Sequence, residues 1–320
     1  MRIKAMAAAL LLAATPAVAW SAGQETFIET RGPSGLLKGT MLAPASGPKA
    51  PVVLILPGSG PTDRDGNNPL GVKASIYKLL AEGLAERGIT SARIDKRGMF
   101  ASSGAAKDAN QVTIGDYAAD THAWARMLRA KTGAPCVWVL GHSEGALVAS
   151  AAARDPKDIC GLILVAGPGR RMGEVLREQL KANPANAPLL ADALAALDKL
   201  EKGQKADVSH YAQPVQNLFK PAVQPYIIDA LSYDPVALVR GYKGPVLVMQ
   251  GTTDLQVSMQ DAERLAAARP GVKLVKLEGV NHVLKTAPPE RPANLATYAD
   301  PSLPIAPGVV DAVASFVTAR

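Results

Sequence analysis

From Pro51 onward, continuous apolar runs alternate with stretches of helical period, and this alternation most restricts what the chain can fold into. "PVVLILPG" (Pro51 to Gly58) is β-branched and leucine-rich without a break, as expected of a strand buried on both faces of a parallel sheet. "KASIYKLLAEGLAERG" follows with apolar residues at Ile76, Leu79, Leu80 and Leu84, a helical spacing that ends at Gly88. The pattern repeats through "TSARIDKRG", "TIGDYAADTHAWARMLRAKTG", "CVWVLG", "EGALVASAAARD" and "CGLILVAG", then resumes with "PVLVMQG", "SMQDAERLAAARP", "VKLVKLEG" and "GVVDAVASFVTAR". Strand and helix in strict turn imply an α/β fold, a mostly parallel central sheet flanked by helices and joined by right-handed crossovers. "ETFIET" and "GLLKGTMLAP" precede it as an antiparallel start, with Gly32-Pro33-Ser34-Gly35 as the turn.

Residues 168–244 interrupt the alternation before the penultimate strand. They hold amphipathic pieces punctuated by prolines, too long for one crossover and too patterned for a loop, and predict a helical cap insertion above the strand ends. The rest of 20–320 is expected to form one domain. Before it, Arg2 and Lys4, an apolar stretch from Ala5 to Ala14 and the small-x-small pattern Ala17-Val18-Ala19 predict a signal peptide over 1–19, cut after Ala19, and a periplasmic or secreted protein. The apolar run is too short for a stable membrane anchor.

The formal charge of +7 falls to +5 once Arg2 and Lys4 are removed, with both signs interspersed. No nucleic-acid-reading motif accompanies the excess, so nucleic acid is not expected as a partner. Cys136 and Cys160 stand at the beginnings of neighbouring predicted strands, where a disulfide and two buried thiols are equally compatible with the sequence. Neither carries metal-ligand spacing. The oligomeric state is left open.

Chemistry concentrates at Gly141-His142-Ser143-Glu144-Gly145, a G-x-S-x-G where a strand turns into a helix. Such a turn projects the serine above the sheet and aims the helix N-terminus at the same place. A serine hydroxyl needs a base, and the base needs an orienting acid. Of the four histidines, His122 precedes the nucleophile strand, His210 lies in the insertion and His142 adjoins the serine, its side chain facing away. His282, just past the last strand, remains. Asp254, in the loop after "VLVMQG", is the expected acid, while Asp261 reads as the first turn of the next helix. The oxyanion donors are expected to be the backbone N–H groups of Glu144 and of Ser59 in Pro57-Gly58-Ser59-Gly60-Pro61. Gly58, Asp63 and Arg64 are candidates for substrate contact, and a Glu144 side chain facing the pocket would disfavour anionic substrates. The prolines from Ala287 to Pro307 predict an irregular segment that either borders the pocket or connects over the surface to the last helix.

With "LPGSGPTDRDGN", "IDKRGMFAS", "GHSEG", "GTTD" and "NHVLK", residues 25 to 320 resemble the α/β-hydrolase superfamily, and more narrowly its secreted bacterial serine esterases. The resemblance implies a carboxylesterase cleaving small, short-chain acyl esters through Ser143, His282 and Asp254, with no metal or organic cofactor. A peptidase, thioesterase or acyltransferase would use the same residues, and a non-catalytic binding protein would lack one of them. The family's D-x-R-G-x-G-x-S stretch has Phe100 in place of its second glycine here, which predicts a looser loop.

Overall fold

The computed structural model describes residues 23–47 and 51–319, so the expected signal peptide lies outside the described residues. The chain opens with β1 (Gln24–Arg31) and β2 (Leu36–Ala43), then runs through β3 (Val52–Leu56), α1 (Ile76–Glu86), β4 (Thr90–Ile94), α2 (Ile114–Thr132), β5 (Val137–His142), α3 (Glu144–Ala152) and β6 (Ile159–Val165). Next come α4 (Met172–Ala182), α5 (Leu190–Glu201), α6 (Gln213–Leu218), α7 (Gln224–Ser232) and α8 (Pro235–Gly241). The fold closes with β7 (Val246–Gly251), α9 (Met259–Ala266), β8 (Lys273–Leu277), α10 (Arg291–Ala296) and α11 (Val309–Thr318).

The strands form one eight-stranded sheet in the order β1-β2-β4-β3-β5-β6-β7-β8. β2 is antiparallel to both β1 and β4, and the other pairings are parallel. Why β3 is apolar throughout is now explicit. Val52, Leu54 and Leu56 point into a core shared with α2, α3, α8 and α9, while Val53 and Ile55 point into the core under α1 and α11. A polar residue on either side would have lost its water.

Two loops leave the sheet at its centre. From β3 the chain moves outward to β4, and then β5 returns on the other side of β3, so the carboxyl ends of β3 and β5 flank the crevice where the strand order reverses. Sites in such sheets form there.

Helices α4 to α8 occupy the stretch between β6 and β7, where the sequence predicted an insertion. Proline spacing breaks "PVQNLFKPAVQPYIIDAL" into α6 and α7, and the short α8 that follows is not visible in the sequence pattern. Around α5 to α7 a separate core gathers Leu197, Leu200, Val215 and Phe219, with Phe219 fully buried. At the far end of the sheet from the crevice, Cys136 and Cys160 are joined in a disulfide, with their Cα atoms 5.1 Å apart. The β5–β6 register skips at this point, Val137 pairing with Ile159 and Trp138 with Gly161.

Candidate active site

Ser143 links β5 to α3 with φ 55° and ψ −121°, a conformation most side chains avoid. Two glycines make the turn possible through close approach. A Cβ on Gly141 would overlap the Gly145 carbonyl, and one on Gly145 would overlap the Leu56 carbonyl at the end of β3. The Ser143 N–H donates to the Val165 carbonyl at 2.9 Å, and the Ser143 carbonyl accepts the Ala146 N–H at 2.9 Å. Both sides of the strained residue are thereby fixed.

The Glu144 N–H, first in α3, is among the helix-end donors that have no intrahelical acceptor. Across from it runs the loop after β3. A Cβ on Gly58 would stand only 3.3 Å from the Ser143 Cβ, so the absence of a side chain lets the loop lie against the turn. The Gly58 N–H donates to Tyr77 Oη at 3.0 Å, and the Gly58 carbonyl accepts from Lys96 Nζ at 2.6 Å.

His282 and Asp254 are brought together: the His282 Nδ1–H donates to Asp254 Oδ2 at 2.9 Å, with the two side chains 6% and 1% exposed. Asp254 Oδ1 also accepts the N–H groups of Gln256 at 2.7 Å and Val257 at 3.0 Å, and Oδ2 accepts from Gln250 Nε2 at 3.0 Å. Burial pushes this carboxyl upward, but the imidazole and the two backbone donors outweigh it and hold Asp254 below the usual carboxylate range. Asp261 does different work. It accepts from Arg170 at 2.6 Å and from the Ser258 hydroxyl at 2.7 Å, capping α9.

The loop bearing His282 is closed on itself and braced. Its Asn281 N–H reaches the Lys285 carbonyl at 3.0 Å, and Asn281 Nδ2 reaches Thr297 Oγ1 at 2.7 Å. Fully buried Asn294, in α10, donates to the Thr253 and Pro288 carbonyls, each at 2.9 Å. The proline-rich segment is thus partly helical, and Tyr298 from it borders the pocket.

Ser143, His282, Gly58 and Ser59 line one cavity of about 130 Å³ together with Asn68, Ile76, Gln256 and Tyr298. Asp63 and Arg64 are not among its lining residues. Asp63 Oδ1 accepts the Asp65 and Asn67 N–H groups, while Arg64 is paired with Asp95 at 2.5 Å and reaches Thr40 at 3.0 Å. The Glu144 carboxylate also turns away from the cavity, into the interior, where Lys96 and the Tyr226 hydroxyl of α7 meet it. Burial raises its pKa and more than offsets the neighbouring ammonium.

The sequence reading missed three buried groups. Tyr77 Oη and His142 Nδ1 are 2.9 Å apart, and His142 Nε2 is 2.9 Å from the His282 carbonyl. A carbonyl only accepts, so Nε2 carries the proton and Nδ1 accepts from Tyr77. Desolvation, reinforced by nearby His282, pushes the His142 pKa down to about 3, which keeps the ring neutral. Tyr77 sits among apolar helix positions and looks like core, and nothing in the local pattern distinguishes it. Lys96 left a better signal, a charge two residues past the end of β4, a strand buried throughout. Phe100, finally, takes φ 45°, and the Ala101 N–H that follows it donates to Asp95 Oδ2 at 3.1 Å.

Among proteins of known identity, the chain is 27% identical over 252 residues to Esterase EstD of Thermotoga maritima, a match covering 78% of this chain. It spans only 58% of that relative's length. Similar solved structures include Est1E from Butyrivibrio proteoclasticus with ferulic acid bound, at 16% identity and TM-score 0.57 over 91% of this chain and 96% of that one. Another is the alpha/beta hydrolase GrgF from Penicillium sp. sh18, at 21% identity and TM-score 0.55 over 81% of this chain and 91% of that one. The sequence profile of the Alpha/beta hydrolase family matches residues 52–297, and with the sheet and crevice described above the chain belongs to that family.

Proposed function

We propose that the protein is a serine carboxylesterase acting on small, short-chain acyl esters, with Ser143 as nucleophile, His282 as general base and acid, and Asp254 as its orienting carboxylate. The observation that carries this reading is the convergence in one cavity of a serine on a strained strand-to-helix turn and a histidine whose far nitrogen is held by a buried carboxylate. With Nδ1–H committed to Asp254, the His282 Nε2 is the acceptor left for the serine proton.

Ser143 Oγ attacks the ester carbonyl as His282 takes its proton. The oxyanion accepts the N–H groups of Ser59 and Glu144, and His282 returns the proton to the departing alkoxide. Water, activated by the same imidazole, then cleaves the acyl-enzyme. A cavity of about 130 Å³ suits a short acyl group, since pockets for drug-sized ligands begin at roughly 300 Å³. The esterase names of EstD and Est1E support the substrate class. The Cys136–Cys160 disulfide supports an exported protein, as does the apolar N-terminal stretch read from sequence.

Hydrolysis of p-nitrophenyl esters of increasing acyl length tests the reading. Activity should peak at short chains, and Ser143→Ala and His282→Ala should each lose at least about a thousandfold in kcat. Full activity in the serine variant would end the proposal.

A further inference from the structure

Lys96 is a charged residue in a place that ordinarily excludes charge. Its side chain, two residues past the end of β4, is 5% exposed, its ammonium 5.5 Å from the Tyr117 ring centroid. An ammonium there is costly unless its partners are well arranged. Two groups meet it: the Gly58 carbonyl accepts its hydrogen bond at 2.6 Å, and Glu144 Oε1 faces it as a counter-charge at 3.6 Å.

Those two groups belong to the two segments that carry the proposed oxyanion donors. The Gly58 carbonyl shares a peptide plane with the Ser59 N–H, and in a trans peptide the two point in opposite directions. Seizing the carbonyl from the interior therefore turns the N–H outward to the cavity that Ser59 lines. A positive charge at the oxygen also draws electron density through the amide, which makes the N–H a stronger donor. On the other segment, the Glu144 carboxylate anchors the first residue of α3, whose N–H is the second donor.

We infer that Lys96 is a positioning residue for ester hydrolysis, which through the Gly58 carbonyl and the Glu144 carboxylate sets the direction and spacing of the Ser59 and Glu144 N–H groups. It touches no reacting atom. Tyr77 complements it by taking the Gly58 N–H, so this glycine is gripped on both of its peptide edges. The neighbouring charges of the same stretch bind elsewhere, Asp95 to Arg64 and Arg97 to Asp120. The inference rests on the esterase reading.

The deciding variant is Lys96→Met combined with Glu144→Gln, compared with Glu144→Gln alone, because Lys96→Met by itself leaves a buried carboxylate without its cation. Losing one oxyanion donor costs on the order of 10²–10³ in kcat where it has been measured. Disorienting one should cost at least about thirtyfold on p-nitrophenyl acetate, with KM within about threefold. Affinity for an alkyl trifluoromethyl ketone, whose serine adduct carries an oxyanion, should fall by the same factor as kcat/KM. In the ligand-free protein the Ser59 amide resonance should move in the 1H–15N spectrum. Unchanged kcat and ketone affinity, or an unmoved Ser59 resonance, would overturn the inference. A wild type inactive on every ester would instead end the esterase reading, while the Ser59 resonance would still report whether Lys96 holds the peptide.

Discussion

The ring of His142 donates its Nε2–H to the main-chain carbonyl of His282 at 2.9 Å, so the residue before the proposed nucleophile holds the backbone of the proposed base. The His142 pKa is pushed down to about 3 by burial in the fold, against about 6.5 in an unfolded chain. Its contribution to stability is therefore complete above pH 6.5 and is lost as the pH falls toward 3, by up to about 1.4 kcal/mol per pH unit. His142→Gln should be less stable than wild type at pH 7 and show a shallower decline between pH 6.5 and 4. Denaturant melts at a series of pH values would measure this, and parallel slopes would count against the buried neutral ring.

Asp254 and Asp261 are both buried acids near the last strands, and their partners separate them. Asp254→Asn should lower kcat by roughly 10²–10⁴, the upper end being the loss known when such an acid is replaced by its amide. Asp261→Asn should instead lower the melting temperature, by weakening the α9 cap and the Arg170 pair, with a stability loss of about 1–3 kcal/mol. Steady-state kinetics beside thermal unfolding distinguishes the two, and the reverse pattern would reassign the acid.

The turn at Ser143 depends on backbone contact at its second glycine. Gly145→Ala should force α3 away from the end of β3, costing about 1–3 kcal/mol of stability and at least about tenfold in kcat from misplaced donors. Gly133→Ala is a useful contrast, because no atom lies near its missing Cβ but its φ is 73°. That variant should lose stability alone, by about 1 kcal/mol.

Reducing the Cys136–Cys160 bond should destabilise the protein by about 3.5 kcal/mol, the value expected for closing a loop with a sequence separation of 24. Because the bridge lies at the end of the sheet away from the crevice, kcat at 25 °C should be unaffected. Thermal unfolding with and without dithiothreitol, alongside ester hydrolysis, tests both halves.

The strands and their order of appearance were legible because burial on both faces leaves an unbroken apolar run in β3 and, up to Gln250, in β7, whereas β4, which buries Thr90, Ser91 and Arg93, was legible from its place in the alternation. The placement of Ser143, His282 and Asp254 near the crevice was legible because each follows a strand at its carboxyl end. What was not legible depends on side-chain direction across the fold. Asp63 and Arg64 adjoin the Ser59 loop in sequence but turn to their own backbone and to Asp95. Glu144 adjoins the nucleophile but faces inward. Tyr77 and His142 lie 65 residues apart, and only the packing of α1 against the sheet makes them partners.

The insertion's own core bears on how such a molecule can change. Its buried residues, among them Leu197 and Phe219, belong to neither of the two clusters that sandwich the sheet, and among the described residues the half-buried Met172 packs against both it and one of them. A substitution that reshapes α5 or α6 is therefore felt first inside the insertion, with α7, whose Tyr226 meets Glu144 and whose Ala230 joins the main core, as its link to the scaffold of Ser143. None of the described insertion residues lines the cavity of Ser143 and His282, so this part of the chain is free to vary on its own account.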